Sequence, residues 1–481
     1  MMGRHQHETK LYYQLSVDEL IPPHHLLRQI ADHIDFSFVY QLARPYYSDT
    51  GQPSIDPVVL FKMLLIGYPY GVTSERRLMD EIRVNLAYRW LLGYDLDETI
   101  PDHSVLSKAR VRFPLAVFEA FFDRTVELCK TAGLVHGEAV FMDSTLIQAN
   151  ASMSSLESRV GLQPPLPARD YVKQVFAENP VSTDPIPDPP DNPPSTREDP
   201  SRAEKKVPFN KRKQSRTDPE ASLMSHASFG VHLAYKAHVA VDDHPARVIT
   251  AAVATPAAIV DEYMLEELLA QHARRTGRLP RDVVADRRYG TMEIYRYLTD
   301  LGLRATIPDR SAGKRGPAGV WSIRDFTYNP DENTYKCAAG ETLAPASVRP
   351  SERMTEYKAP PGVCVDCRFR AECSPTGKRR GLRRAFDRGL IEDVQNWLET
   401  DEGRERYAQR KVYIETQFGI AKELHGLRRA KWRGRWRVQI QVWLTAAAMN
   451  MKKLVKSKGT AGGAGSSGPE SSSHFPIQLA I

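Results

Sequence analysis

Ala139-Val-Phe-Met-Asp143 and Asp282-Val-Val-Ala-Asp286 decide how the fold of this chain is read. Each is a short apolar run closed by an aspartate, the pattern of a buried strand that delivers a carboxylate where it leaves a sheet. A third acid, Glu415, lies in helical periodicity. Tyr407, Lys411, Glu415, Phe418 and Lys422 step by four, four, three and four residues, so an α-helix of 3.6 residues per turn would set them on one face. A glutamate flanked by two cations on one face suits a site that holds both a divalent metal and phosphate.

Between the two aspartates the chain first becomes rich in Pro, Asp, Ser and Lys, from about 162 to 213, with Asp188-Pro-Pro-Asp-Asn-Pro-Pro at its centre. That composition predicts a loosely held insertion. Alternating stretches at Tyr235-Lys-Ala-His-Val-Ala-Val and Arg247-Val-Ile-Thr-Ala-Ala-Val, with Asp242-Asp243-His244 between them, read as a hairpin. A helix from about Asp261 to Arg275, the Asp286 strand, a helix from near Met292 and a strand at Arg304-Ala-Thr-Ile follow. Strand, hairpin, helix, strand, helix, strand is the order of a ribonuclease H-like mixed sheet, in which the first and fourth strands are neighbours. The expected fold class is therefore α/β.

Upstream, from about Val17 to Leu134, helical periodicity dominates and predicts an all-helical head. Thr73-Ser74 before Glu75-Arg76-Arg77 reads as a capped helix start, and Asp102-His-Ser104 before Val105-Leu-Ser-Lys108-Ala-Arg110 as another. Basic residues in first turns are what a helix-turn-helix sets against DNA, which makes Arg76, Arg77, Lys108 and Arg110 candidate contacts. Downstream, about 310–388 fits no continuation of the sheet and holds four of the five cysteines: Cys337, the pair Cys364-Val-Asp-Cys367, and Cys373. Two readings of it stand, a tetrahedral zinc site and a small module with reduced thiols in its core. Cys129, in an apolar helical run, reads as packing.

The chain has 481 residues, enough for two or three domains. Its 66 Lys and Arg exceed its 59 Asp and Glu by only +7, but the excess is clustered. Lys378 to Arg388 and Arg428 to Arg437 are dense in cations, the second interleaved with Trp432 and Trp436, so Arg433 and Arg435 join the candidate contacts to a polyanion. No apolar run approaches the roughly 20 residues of a membrane span. The first residues have no signal-peptide core, and five cysteines in a chain this long make no disulfide framework. A cytoplasmic protein without a membrane partner is expected.

These residues carry a resemblance to the DDE transposases of bacterial insertion sequences, in the branch with a helical head and a Cys-bearing insert before the final glutamate. The matching motifs are Phe141-Met-Asp143-Ser-Thr-Leu-Ile-Gln-Ala-Asn-Ala-Ser, Thr217-Asp-Pro-Glu-Ala, Val284-Ala-Asp286-Arg-Arg-Tyr289, Cys364-Val-Asp-Cys367 and Tyr413-Ile-Glu415-Thr-Gln-Phe418-Gly-Ile-Ala-Lys422, with Ile55-Asp56-Pro-Val-Val-Leu-Phe-Lys and Pro101-Asp-His-Ser in the head. The resemblance spans roughly Tyr12 to Leu454. It departs from the family at three places. The family's signature sets three residues between an Arg and the Glu, whereas four separate Arg410 from Glu415. Lys411 has the expected gap and the expected helical face, so it is the residue assigned. Arg288 and Ser144 stand where glycines are common.

The resemblance implies an Mg²⁺-dependent (or Mn²⁺-dependent) nuclease and strand transferase with Asp143, Asp286 and Glu415 as metal ligands and catalytic acids. Two ions roughly 3.5 to 4 Å apart would serve an in-line displacement at phosphorus. Lys411, Lys422 and Tyr289 would lie near the cut strand. Cys337, Cys364, Cys367 and Cys373 would hold structural Zn²⁺ if the insert is a zinc module. The expected organisation is a DNA-binding helical domain (1–135), a first part of the core (136–309), the Cys-bearing insertion (310–388), the helices carrying the final Glu (389–457) and a flexible Gly- and Ser-rich tail (458–481). Implied partners are double-stranded DNA, as terminal inverted repeats and target, and further copies of the chain in a homodimer or higher oligomer, beside the bacterial nucleoid. The alternative is a non-catalytic DNA-binding descendant of such an enzyme. A simple host nuclease would explain the acids but neither the head nor the insert.

Overall fold

The computed structural model describes residues 16–48, 50, 54–113, 115–158, 209–226, 230–310, 320–375 and 379–461. The head packs around the helix Pro57–Ile66, whose Leu60, Phe61, Met63, Leu64, Leu65 and Ile66 are all buried. A helix apolar on every side must be enclosed by others. Asp56 starts it, accepting from the N–H groups of Val58 (2.7 Å) and Val59 (3.3 Å), with Pro57 in the first turn, where no N–H is needed. Around it lie Leu26–His33, Phe38–Ala43, Glu75–Val84, Leu86–Leu92, Ser104–Arg112 and Leu115–Thr131. Ser74 caps its helix as the sequence suggests, accepting from Arg77 N–H.

The sheet follows. Strand β1 (Ala139–Gln148) leads to a short antiparallel pair, β2 (Leu156–Ser158) with β3 (Lys213–Ser215), then to β4 (Ser222–His226), β5 (Gly230–Asp242), β6 (Ile249–Pro256), β7 (Asp282–Ala285) and β8 (Arg304–Thr306). Long β5 is flanked by antiparallel β1 on one edge and by β4 and β6 in succession on the other. β7 runs parallel to β1, and β8 parallel to β7. Alternate residues serve opposite faces: Phe141 enters the core shared with the head, whereas Val140 and Met142 enter a second core with residues of the helices Leu265–Thr276 and Met292–Asp300. Cover on both faces explains why these strands read as apolar runs.

The last helix, Arg435–Ala461, packs on β6 and on the head helix Leu115–Thr131. Two buried amides on it bond the edge of β6 away from β5. Gln439 accepts from Ala254 N–H (2.6 Å) and donates to Ala252 C=O (3.0 Å), while Asn450 accepts from Ile249 N–H (2.9 Å) and donates to Ile249 C=O (2.8 Å). They satisfy backbone groups that an edge strand would otherwise leave open.

The cysteine-bearing stretch forms an antiparallel sheet of its own: β9 (Thr327–Asn329), β10 (Thr334–Lys336), β11 (Thr342–Arg349), β12 (Met354–Lys358) and β13 (Gly381–Ala385). The Pro-rich stretch lies outside the described residues as far as 208. Its last residues correct the expectation of looseness, since Phe209–Arg212 form a helical turn and Lys213 opens β3. Most of the tail likewise lies outside the described residues, but Lys458–Ala461 continue the last helix.

A buried charge cluster joins head to sheet. Arg275 meets Asp123 (2.6 Å) and Glu119 (2.9 Å), and Arg274 meets Asp123 (2.7 Å). Beside them Gln271 donates to Glu267 (2.8 Å) and accepts from Arg275 (2.8 Å). Burial pushes the Glu267 carboxyl up from 4.5 to about 7, opposed by the Gln271 bond and reinforced by Glu119. Between those values the folded chain holds a proton that the unfolded chain has lost, so stability falls as pH rises through the window. Glu267→Gln removes that proton. The variant is expected to gain on the wild type by roughly 2–4 °C in Tm between pH 5 and pH 8; thermal unfolding at both pH values checks it, and a constant difference would contradict the raised carboxyl.

Candidate active site

β1 and β7 pair in parallel from Ala139 opposite Asp282 to Met142 opposite Ala285. The next residues in register are Asp143 and Asp286, which leave the ladder side by side. Asp143 is 16% exposed and Asp286 22%. Burial pushes the Asp143 carboxyl up to about 6; the Ser144 N–H bond opposes this, Asp286 adds to it and Arg410 opposes it. Ser144 N–H donates to Asp143 (2.7 Å), and Arg288 N–H donates to Asp286 (2.8 Å).

Glu415 arrives on the helical run that starts at Asp401. The run is not one α-helix: Asp401–Arg410 is followed by a π-helical turn, Lys411–Glu415, and then by Thr416–Leu424. Bonding from i to i+5 takes up one extra residue and brings residues five apart onto one side. Arg410 and Glu415 are such a pair. Arg410 Nη1 donates to Asp143 Oδ2 (2.6 Å) and Nη2 to Glu415 Oε1 (3.1 Å). Tyr413, within the turn, stacks on Phe141 of β1 with ring centroids 4.5 Å apart, and Ile414 is fully buried.

Arg410, rather than Lys411, is thus the cation bonded to Glu415. An unbroken 3.6-residue period turns Arg410 away from Glu415; the π turn brings it back, and Lys411 is exposed, which leaves it available to DNA. Lys422 is half-buried on the helix beyond Glu415, its ammonium pKa lowered by burial and by Arg428.

Other candidates sort by burial. Arg76, Arg77, Lys108 and Arg433 are exposed. Arg110 is 3% exposed, paired with Glu75 and stacked 4.0 Å from the Trp432 ring centroid, so it joins the head to the segment before the last helix and presents nothing to DNA. Arg435 is buried too, its backbone N–H donating to Glu220 (2.9 Å). Tyr289 is fully buried beside the acids, so its ring cannot stack on a base; its hydroxyl finds no hydrogen-bond partner among the described residues. Directly after it, a side chain at Gly290 would strike the Pro308 carbonyl, which fixes the loop from Asp286 under the strand exit.

Sequence reasoning missed Asp261. It reads as the start of a helix, and it does open the turn Asp261–Met264, but its carboxylate is buried and bonded to Ser144, Lys236 and Arg288. None of the five cysteines is in a disulfide. Cys373 belongs to the core of the β9–β13 sheet, and Cys337 and Cys364 pack against it partly buried. Among the described residues, no three His, Cys, Asp or Glu side chains stand as close together as metal ligands. No described helix is long and apolar enough to cross a membrane.

Two domain families match the chain: a transposase domain (DUF772) over residues 15–112 and a transposase DDE domain over residues 336–455. Both matched families are transposase domains, the second of them a DDE domain. The second match contains Arg410, Glu415, Lys422 and the four cysteines of the insertion, whereas Asp143 and Asp286 fall between the two matches. Among solved structures, a piggyBac transposase in a synaptic complex with hairpin DNA aligns with 91% of this chain and 75% of its own, at 11% identity and a TM-score of 0.36. None of the curated proteins matches this chain.

The extra residue in the π turn is testable. Deleting Val412, which is 49% exposed, is expected to return the segment to an α-helix with Arg410 and Glu415 four apart, leaving Tm unchanged or higher. Inserting an alanine after Val412 instead swings Arg410 by about 100° and is expected to lower Tm by several degrees. Thermal unfolding of both variants decides, and equal loss in the two would contradict the account.

Proposed function

We propose that the protein is a bacterial insertion-sequence transposase that cuts transposon ends and joins the freed 3′-hydroxyl to target DNA, using Asp143, Asp286 and Glu415. The observation that carries this reading is that Asp143 and Asp286 leave the sheet side by side while Arg410 links Glu415 to Asp143. The strand order, with β6 and β5 antiparallel on one side of β1 and β7 and β8 parallel on the other, supports a ribonuclease H-like core. We read 1–135 as a DNA-binding head, 136–309 and 389–457 as the core, and 310–388 as an insertion.

Carboxylate oxygens are hard donors suited to Mg²⁺ or Mn²⁺, and the guanidinium between Asp143 and Glu415 marks a place where positive charge is already favoured. Two such ions, held by the three acids, would supply a polarised attacking oxygen and a stabilised leaving oxygen. Arg410 has to leave Asp143 before that carboxylate can serve a metal, and its guanidinium is then free for a phosphate oxygen near the cut. Lys422 would add positive charge further along the same helix. Arg76, Arg77, Lys108 and Arg433 are exposed cations available to the duplex. Action on DNA with further copies of the chain, in the cytoplasm beside the nucleoid, follows from this reading.

The purified protein is expected to nick a labelled transposon-end duplex with Mg²⁺ and to yield joined products, while Asp286→Asn falls to background. Binding without cleavage in both, with Mn²⁺ also tried, would leave a DNA-binding protein only.

We extend the proposal to structural zinc at Cys337, Cys364, Cys367 and Cys373, supported by the Cys364-Val-Asp-Cys367 spacing and by the packing of Cys337 and Cys364 against the core that holds Cys373. Elemental analysis is expected to find one zinc per chain, with chelation lowering Tm; a zinc-free, fully folded protein would leave the insertion a module of reduced thiols.

A further inference from the structure

The parallel ladder between β1 and β7 ends at Met142 and Ala285. Beyond it, Asp143 and Asp286 are adjacent like charges with no backbone rung to fix their separation, and like charges repel. Something else must set that distance.

Asp261 is placed to do so. It is 3% exposed and follows β6 in the chain. Its Oδ1 accepts from Ser144 Oγ at 2.7 Å, and its Oδ2 faces Arg288 Nη1 at 3.3 Å. Ser144 is the residue after Asp143. Arg288 is two residues after Asp286, gives its backbone N–H to Asp286 Oδ1, and brings its Nε to 3.9 Å from Asp286 Oδ2. One carboxylate therefore reaches the segments that carry both acids.

Its charge is compensated from β5. The buried ammonium of Lys236 donates to Asp261 Oδ1 (2.9 Å) and to Ile259 C=O (2.8 Å). His238 lies 3.7 Å from the same carboxylate oxygen, its other ring nitrogen bonded to Thr255 Oγ1 (2.8 Å). With Lys236 and Arg288 opposed to it, a buried carboxylate becomes a fixed post.

We infer that Asp261 is a positioning residue that sets the spacing of Asp143 and Asp286 through Ser144 and Arg288, so that the pair is ready for divalent metal. The inference rests on the reading of Asp143 and Asp286 as metal-holding acids. Groups that orient metal ligands in this way typically contribute 10-fold to 100-fold to metal affinity.

The test is a titration of Mn²⁺ into the full-length protein without DNA, with free ion read from its electron paramagnetic resonance signal and Tm measured on the same metal-free samples. Asp143→Asn is expected to remove tight binding. Ser144→Ala combined with Arg288→Ala is expected to weaken Mn²⁺ roughly 10-fold to 100-fold while changing Tm little, because the Arg288 side chain is 64% exposed. Asp261→Asn is expected to weaken it similarly, with Ser144→Ala adding nothing on that background. Since Asp261→Asn leaves Lys236 buried beside a neutral amide and can fail to fold, the double variant decides. Wild-type Mn²⁺ affinity in the folded double variant overturns the clamp while leaving the metal site intact. Equal Mn²⁺ binding by wild type and Asp143→Asn overturns the metal site itself, and the clamp falls with it.

Discussion

The guanidinium of Arg410, held between Asp143 and Glu415, is the contact that ties the helical arm to the end of the sheet. It needs two things at once. Asp143 must emerge where β1 ends its pairing with β7, and the arm must carry a π turn so that residues five apart share a side. The Tyr413 ring on Phe141 locks the turn to the strand that bears Asp143. Charge-assisted bonds of this kind, part-buried at Asp143 and open to water at Glu415, hold two acids near one another that would otherwise repel.

Much of the architecture was legible because burial leaves a simple signature. Ala139-Val-Phe-Met and Asp282-Val-Val-Ala are apolar runs because helices cover both faces of the sheet, and the alternating hairpin and Ser74 cap follow local rules that tertiary contacts did not override. The arm was misread because a fixed 3.6-residue period carries no sign of one inserted residue; the spacing of Arg410 and Glu415, one longer than the family signature, was the available clue. Composition failed for Arg110 and Arg435. A cluster of cations in sequence does not distinguish a side chain facing solvent from one drawn inward by Glu75, Trp432 or Glu220.

Asp261 was hidden for a different reason. An aspartate at a helix start has a sufficient local explanation, and only the folded chain brings Ser144 and Arg288 to it. Those two residues also stand where the resembling family commonly has glycine. Two departures distant in sequence thus share one partner, which makes them a matched pair rather than two separate losses.

The amides of Gln439 and Asn450 bear on how copies of this chain can meet. By occupying peptide groups on the outer side of β6, they close that side to a strand from a second copy or from an unfolded neighbour. Whatever assembly forms, it cannot grow by continuing the sheet across β6, and crowding the chains together does not invite fibrous association through that edge.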